Sequence, residues 1–215
     1  MTRLILIRHG ETNWNVEHRK QGRNDQPLNE KGAAQAKLAA DHVKANYNIA
    51  KVWSSPLQRC SNTAALFNLP VATSEHLLEI DYGEWEGMLT AEIEAQNIGQ
   101  TNASADELDP PGGELRSNLP IRANHWIVES KIKEQAKKNE DVVLVGHGGA
   151  MKGLLVALLD LPDQAMNTLV IDNCSISVVD INPNPKITNR LVALNHTAHL
   201  KHDLLTRCIF IVATG

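Results

Sequence analysis

Residues 4–15 read Leu4-Ile5-Leu6-Ile7-Arg8-His9-Gly10-Glu11-Thr12-Asn13-Trp14-Asn15, an apolar run that stops abruptly at Arg8, His9 and Gly10. Four consecutive branched aliphatics suit a strand covered on both faces. In open α/β sheets such strands present ligand-binding groups at their carboxyl ends. Arg8 and His9 stand at that end. Arginine is a fixed-charge, forked donor suited to phosphate, and a neighbouring cation disfavours the protonated form of a histidine. The pair therefore offers a neutral imidazole, a nucleophile, beside an anion-binding charge.

The design repeats downstream. Asp141-Val-Val-Leu-Val-Gly-His147-Gly-Gly149 is another apolar run ending in a histidine, followed by the helix-like Ala150 to Leu159. Two parallel strands that each end in His-Gly can bring both imidazoles to one crevice, where helix amino termini favour anions. Either histidine alone reads as a hydrogen-bonded turn residue. Two copies of one pattern point to a shared phosphate site.

Four stretches carry a family resemblance: Arg8-His9-Gly10-Glu11-Thr12, Ser54-Ser55-Pro56-Leu57-Gln58-Arg59-Cys60, Leu78-Glu79-Ile80-Asp81-Tyr82-Gly83-Glu84-Trp85-Glu86-Gly87, and Gly146-His147-Gly148. In order and spacing they resemble the histidine phosphatase superfamily, also called the phosphoglycerate-mutase-like family, over about Thr2 to Leu200. A lone Arg-His-Gly would carry little, because tripeptides recur by chance. The resemblance implies an α/β three-layer sandwich with a mostly parallel central sheet, helices on both faces and a short polar insertion over the site.

Length and composition agree with that expectation. At 215 residues the chain suits one domain over 1–203 with an insertion at about 88–118, followed by a tail at 204–215. Hydrophobic residues at 42% and charged ones at 21% are ordinary for a soluble protein, and a net charge of -4 argues against a nucleic-acid surface. The first residues lack a secretory signal, and no window approaches the roughly 18 apolar residues needed to span a membrane. A cytoplasmic protein is expected. Cys60, Cys174 and Cys208 are widely spaced, so three free thiols are expected rather than disulfides or a zinc site.

Along the chain, residues 11–23 form a polar loop whose Asn15, Gln21 and Gly22 suit an oxyanion; the resemblance assigns Asn15 to the phosphate and Gln21-Gly22 to the substrate border. Arg23 reads equally well as added charge or as a solvated loop residue. A helix from Glu30 to about Tyr47 is expected from Ala36, Ala39, Ala40, Val43 and Tyr47 at three- and four-residue spacing. After a strand at Ile49 to Trp53, Ser55 reads as an N-cap and Pro56 as the first residue of a helix running to about Asn68. That places Arg59 in the first turn, where it reaches an anion at the helix end. The resemblance makes Arg59 the family's second phosphate-binding arginine.

A strand at Val71 to Leu77 leads to four carboxylates, Glu79, Asp81, Glu84 and Glu86. Chemistry alone leaves all four open as the proton donor that transfer to His9 requires. The resemblance selects Glu79 and gives Glu84 and Glu86 to a structural turn. It also places a serine after Gly112-Gly113-Glu114, where this chain has Leu115. A helix is expected from Pro120 to about Lys138, with Ile121, His125, Val128 and Ile132 on its packed stripe. Residues 172–181 alternate apolar with small polar residues, as a half-buried antiparallel strand would, and Thr188 to Leu194 reads as its hairpin partner. His125, His196 and His199 read as structural or surface residues, and no histidine spacing suggests a metal site. The tail, with Cys208-Ile-Phe-Ile-Val-Ala213, either docks on the body, is disordered or pairs with another chain, a homodimer being one outcome.

The expectation is then a metal-independent phosphatase acting on a small phosphomonoester of the phosphosugar, phosphoglycerate, phosphoserine or α-ribazole phosphate type, through a phosphohistidine on His9. Arg8, Arg59, Asn15, His147 and the Gly148 turn cradle the phosphate, and Glu79 donates and then takes the proton. Two alternatives use the same parts. One is a phosphoglycerate mutase dependent on 2,3-bisphosphoglycerate, which in the family tends to carry longer shielding insertions; the other is a non-catalytic phospho-ligand binder. Otherwise no cofactor is expected, and the partner is a small phosphorylated metabolite.

Overall fold

The computed structural model describes residues 2–97, 104–136, 140–184, 186–200 and 204. The apolar run at the start forms β1 (Thr2–Arg8), and Leu4, Ile5, Leu6 and Ile7 are each no more than 1% exposed. Burying each such side chain contributes roughly 1.5–3 kcal/mol. β1 reaches that burial because it has a strand on either side: β4 (Asp141–Gly146) parallel to it and β5 (Ile176–Ile181) antiparallel. With β2 (Ile49–Ser54), β3 (Val71–Thr73) and β6 (Arg190–His196), they make one sheet in the order β3-β2-β4-β1-β5-β6.

Alternate residues of the strands face two separate cores. Leu4, Leu6, Val142, Leu144 and Trp53 pack with α5 (Asn118–Ser130) and α7 (Gly148–Leu159) on one side. Ile5, Ile7, Val143, Val145 and Val52 pack with α2 (Glu30–Asn46) and α3 (Gln58–Ala65) on the other. The expected three-layer α/β architecture is thus observed. Short helices α1 (Asn13–Val16), α4 (Thr90–Asn97) and α6 (Ile132–Gln135) complete the helical elements named here. The chain moves outward through β2 and β3, then returns on the opposite face to insert β4 between β2 and β1. That reversal is a topological switch point, and it opens a crevice at the carboxyl ends of β1 and β4.

Several local expectations need correction. The Ser55-Pro56 pair does not start a helix: α3 begins at Gln58, its N-cap is Leu57 without a side-chain bond, and it ends at Ala65 rather than Asn68. β3 stops at Thr73, and a 3-10 turn at Glu75–Leu77 replaces the rest of the expected strand. Of the predicted stripe only Ile132, in α6, is buried: Ile121 is 55% and Val128 76% exposed and His125 is exposed, while on α5 Leu119, Ala123, Trp126 and Ser130 face the core. Lys131, at φ 53°, breaks that helix from α6, and the predicted end at Lys138 falls outside the described residues. β5 is shorter than expected and buried on both faces, its small polar residues satisfied from β6, as where Ser177 Oγ accepts the Asn195 N–H at 3.0 Å. The tail beyond Leu204, with Cys208, lies outside the described residues.

Among the described residues no helix is long and apolar enough to cross a membrane.

Candidate active site

The register of β1 against β4 places Arg8 opposite Gly146, and the His9 N–H donates to the Gly146 carbonyl at 3.0 Å. The next residue of each strand is a histidine, and their ring centroids lie 5.2 Å apart at 64°. Both are buried. Strand pairing alone therefore converts two sequence-distant His-Gly turns into one pair of imidazoles.

His9 has a defined tautomer. Its Nδ1 lies 2.7 Å from the Gly10 carbonyl, which can only accept, so Nδ1 carries the proton and Nε2 presents a lone pair. Burial, then the Arg59 and Arg8 cations, hold His9 well below the usual histidine pKa, against a smaller opposing effect of the Gly10 bond. The expected neutral nucleophile is what this surrounding favours. The backbone is equally constrained: Asn173 Nδ2 donates to the His9 carbonyl at 3.0 Å, and Cys174 N–H donates to the Arg8 carbonyl at 3.0 Å.

His147 also has its tautomer fixed from outside. Arg59 Nε donates to Nδ1 at 3.3 Å; a guanidinium cannot accept, so the proton of the neutral ring sits on Nε2, which faces Ser55 Oγ at 2.8 Å. Burial and then Arg59 depress its pKa well below the ordinary value. Cys60 Sγ lies 3.4 Å from the same Nε2, and burial pushes that thiol up, so it stays protonated.

Arg59 is fully buried in the first turn of α3. Its Nη1 and Nη2 donate to the carbonyls of Asn24 and Gly22, each at 2.8 Å, which ties the polar loop to the site. Each Nη spends one of its two N–H groups there and keeps a second. Gly22 sits at φ +53°, and a Cβ on it would meet Glu86 Oε1 at 2.0 Å, so this close turn requires glycine. Gln21 is 7% exposed, with its Oε1 buried and without a hydrogen-bond partner. Asn15 closes the small helix α1 through a capping box with Thr12, and its Oδ1 lies 3.3 Å from Asn173 Nδ2. Arg8 Nη1 donates to the Ile171 carbonyl at 2.6 Å, and a Cβ at Gly148 would come within 3.8 Å of the Arg8 guanidinium.

Glu79 is placed by α7 itself. Gly149 N–H donates to its Oε2 at 3.1 Å and Ala150 N–H to its Oε1 at 3.0 Å. The group that this helix terminus holds is thus the Glu79 carboxyl, bonded by the second and third residues after His147. The three competing carboxylates are used elsewhere. Glu86 Oε1 accepts the Arg23 N–H at 2.6 Å, Asp81 Oδ1 accepts the Gly83 N–H at 2.9 Å, and Glu84 is exposed. Arg23 lies at long range, 3.6 Å from Asp81 Oδ2 and 3.5 Å from Glu114 Oε2. Glu114 is held more closely by Arg122, whose Nε donates to it at 2.7 Å, and Leu115 beside it is 52% exposed.

All the predicted catalytic side chains therefore gather at one end of β1 and β4. Reading the residues missed Ser55, Cys60 and Asn173 as contacts of the two histidines. Ser55 looks like a cap, and Asn173 belongs to the Asp172-Asn-Cys-Ser175 turn, whose polar run was the available signal. Outside the site, His42, His196 and His199 stack with centroids 5.2–5.8 Å apart. Among the described residues no group of three or more His, Cys, Asp or Glu side chains could hold a metal ion.

The chain resembles known proteins over most of its length. The profile of the histidine phosphatase superfamily (branch 1) matches residues 4–195. Phosphoserine phosphatase 1 of Hydrogenobacter thermophilus is 32% identical over 93% of this chain and 95% of its own length. A Yersinia pestis protein named probable phosphoglycerate mutase is 35% identical with the same coverages. A mycobacterial glucosyl-3-phosphoglycerate phosphatase, solved with VO3, superimposes with a TM-score of 0.80 at 31% identity, over 92% of this chain and 100% of that one. Family profile, relatives and superposition agree: the chain belongs to the histidine phosphatase superfamily.

Proposed function

We propose that the protein is a phosphatase that hydrolyses a small phosphomonoester through a phosphohistidine on His9. The observation that carries the reading is the His9 ring: Nδ1 engaged by Gly10, Nε2 left with its lone pair, and Arg59 and His147 beside it. Nε2 attacks phosphorus, and the bond to the leaving oxygen breaks. In a loose transition state the equatorial oxygens keep their negative charge, so the chain's task is positioning and fixed positive charge. Arg8 and Arg59 provide that charge, and Asn15, held near the His9 carbonyl through Asn173, and the turn at Gly148 beside Arg8 complete the phosphate contacts in this reading. Glu79 protonates the departing alkoxide. As carboxylate it then takes a proton from the water that attacks the phosphohistidine, which restores both groups. No step requires a metal or an organic cofactor.

For the substrate, the names of the relatives support a monoester of phosphoserine or glucosyl-3-phosphoglycerate type. An Entamoeba histolytica phosphoserine phosphatase, solved with 3-phosphoglyceric acid, supports the same range. The polar loop residues Gln21 and Arg23 suit such a polar distal group. The mutase-named relative keeps a second reading in view, in which a primed enzyme returns the phosphoryl group to a phosphoglycerate. A phosphomonoester panel read as free phosphate tests the proposal. Release from at least one metabolite ester, faster than isomerisation of 3-phosphoglycerate primed with 2,3-bisphosphoglycerate, is expected. Faster isomerisation would establish the mutase, and silence on the whole panel would leave a phospho-ligand binder.

A further inference from the structure

We propose that Ser55 is a positioning residue of the phosphotransfer, holding His147 so that Nδ1 faces the phosphate beside Arg59 Nε and can be protonated there. The inference rests on the phosphatase reading above. The side chains assigned to the phosphate leave Ser55 out, and its sequence context suggests only a helix cap. α3 starts three residues later, and the hydroxyl is directed to His147 instead.

The argument begins with what Nε2–H can bond to. Arg59 fixes Nδ1 as the acceptor, so the neutral ring has its one proton on Nε2. That N–H is buried, and Ser55 Oγ at 2.8 Å is its oxygen acceptor; Cys60 sulfur at 3.4 Å is a weak one. Ser55 is itself held still. It is fully buried at the end of β2, its N–H donates to the Val145 carbonyl at 3.1 Å, and the Leu57 N–H reaches its Oγ at 3.4 Å. The hydroxyl therefore fixes the ring plane from the side away from Arg59.

The same bond matters more once substrate is present. A monoester bound as its monoanion can pass its proton to Nδ1 as the Arg59 Nε–H leaves Nδ1 and turns to a phosphate oxygen, giving a dianion hydrogen-bonded to an imidazolium, with net charge unchanged. The imidazolium then has two N–H groups: Nδ1–H on the phosphate and Nε2–H on Ser55. The groups facing this ring otherwise oppose its charge or are neutral. They are Arg59 and Cys60 of α3, His9 at the end of β1, Arg122 of α5 and Arg8 of β1, and on the α7 side stands the Glu79 carboxyl held by Gly149 and Ala150. Without Ser55 the charged ring would keep the dianion but lose its second acceptor in a buried site.

The test compares Ser55→Ala and Ser55→Thr with the unmodified protein on one good monoester. Each is measured for kcat and KM across pH, after circular dichroism shows that it is folded. Ser55→Ala is expected to lower kcat by roughly 10- to 100-fold, as for loss of one hydrogen bond to a charged group, with KM changed less than about threefold. The basic limb of its kcat profile should move down by about one to two pH units. Ser55→Thr, which keeps the hydroxyl, should recover kcat to within about fivefold and restore the limb. An unmoved limb in Ser55→Ala, or equal impairment of both folded variants, overturns the proposal. Nitrogen-15 NMR of the unmodified protein is independent of how the variants fold: His147 should be the Nε2–H tautomer, and an Nδ1–H tautomer overturns the proposal. An unmodified protein inactive on every ester would refute the phosphatase reading itself, an outcome visible before any variant is made.

Discussion

Replacing Gly149 by alanine should separate proton donation from phosphate binding. A Cβ at this position would lie 2.6 Å from Glu79 Oε1 and 3.4 Å from its Cδ, whereas an ordinary contact begins near 3.4 Å. The carboxyl oxygen must therefore retreat by about 0.8 Å, the difference between its 2.6 Å approach and the 3.4 Å contact limit. That is enough to loosen its bonds from the Gly149 and Ala150 N–H groups, now 3.1 and 3.0 Å long. The helix should tolerate the change, since alanine is the better helix former and Gly149 lies in the first turn of α7. A misplacement approaching 1 Å costs on the order of 100-fold in rate, or about 2.7 kcal/mol of transition-state stabilisation. The loss should depend on the leaving group. An alkyl phosphate, whose alkoxide needs the proton, should lose about 100-fold in kcat, and p-nitrophenyl phosphate, whose phenolate leaves unassisted, should lose less than about fivefold. Steady-state kinetics on the two esters checks this. Equal loss on both, or undiminished alkyl phosphate turnover in a folded variant, would refute the placement of Glu79 as the acid.

The remaining predictions concern charge, packing and metal. His9 and His147 are held neutral by burial and by neighbouring arginines, so kcat/KM should persist well below pH 6.5 rather than fall with an ordinary histidine titration. Because the unfolded chain takes up protons that the folded one refuses, stability should decline as pH falls through about 6.5. His199, held down to about 4 chiefly by burial, adds a decline between those two values. Urea midpoints measured across pH read both effects, and flat stability from pH 7 to 4 would contradict the buried, neutral assignment. Gly10→Ala would drive a Cβ to 2.2 Å from the Gly32 carbonyl oxygen, a backbone atom that cannot move aside. It should destabilise the fold by at least about 3 kcal/mol, read as a lowered thermal midpoint. Prolonged EDTA treatment should leave turnover unchanged, and activity that returns only with added metal would favour another chemistry.

What the sequence made readable was governed by short-range pattern. The runs ending at His9 and His147 declared buried strands because each packs four consecutive branched aliphatics, too few for a helix, against a Gly-bounded turn. Their pairing then followed from topology. The helix faces were harder. On α5, Ile121 and Val128 form one stripe, while Leu119, Ala123 and Trp126 form another at equally good spacing. Only the position of α7, across which Gly153 meets Leu119, decides which stripe is covered. Residues 172–181 were misread for a related reason. Small polar residues there are buried, and the partner of Asp172 and Ser177, Asn195, lies on a later strand that local alternation cannot reveal. Ser55 shows the limit most directly. A serine before a proline is a sound cap signal, yet the hydroxyl serves a histidine 92 residues away.

The most direct test of the account is the identity of the phosphorylated residue. Protein mixed with a phosphorus-32-labelled monoester and quenched within milliseconds should yield one labelled adduct that survives alkali and is lost in acid, mapping to His9 and absent from His9→Ala. A base-labile adduct on a carboxylate, or an unchanged adduct in His9→Ala, would contradict it.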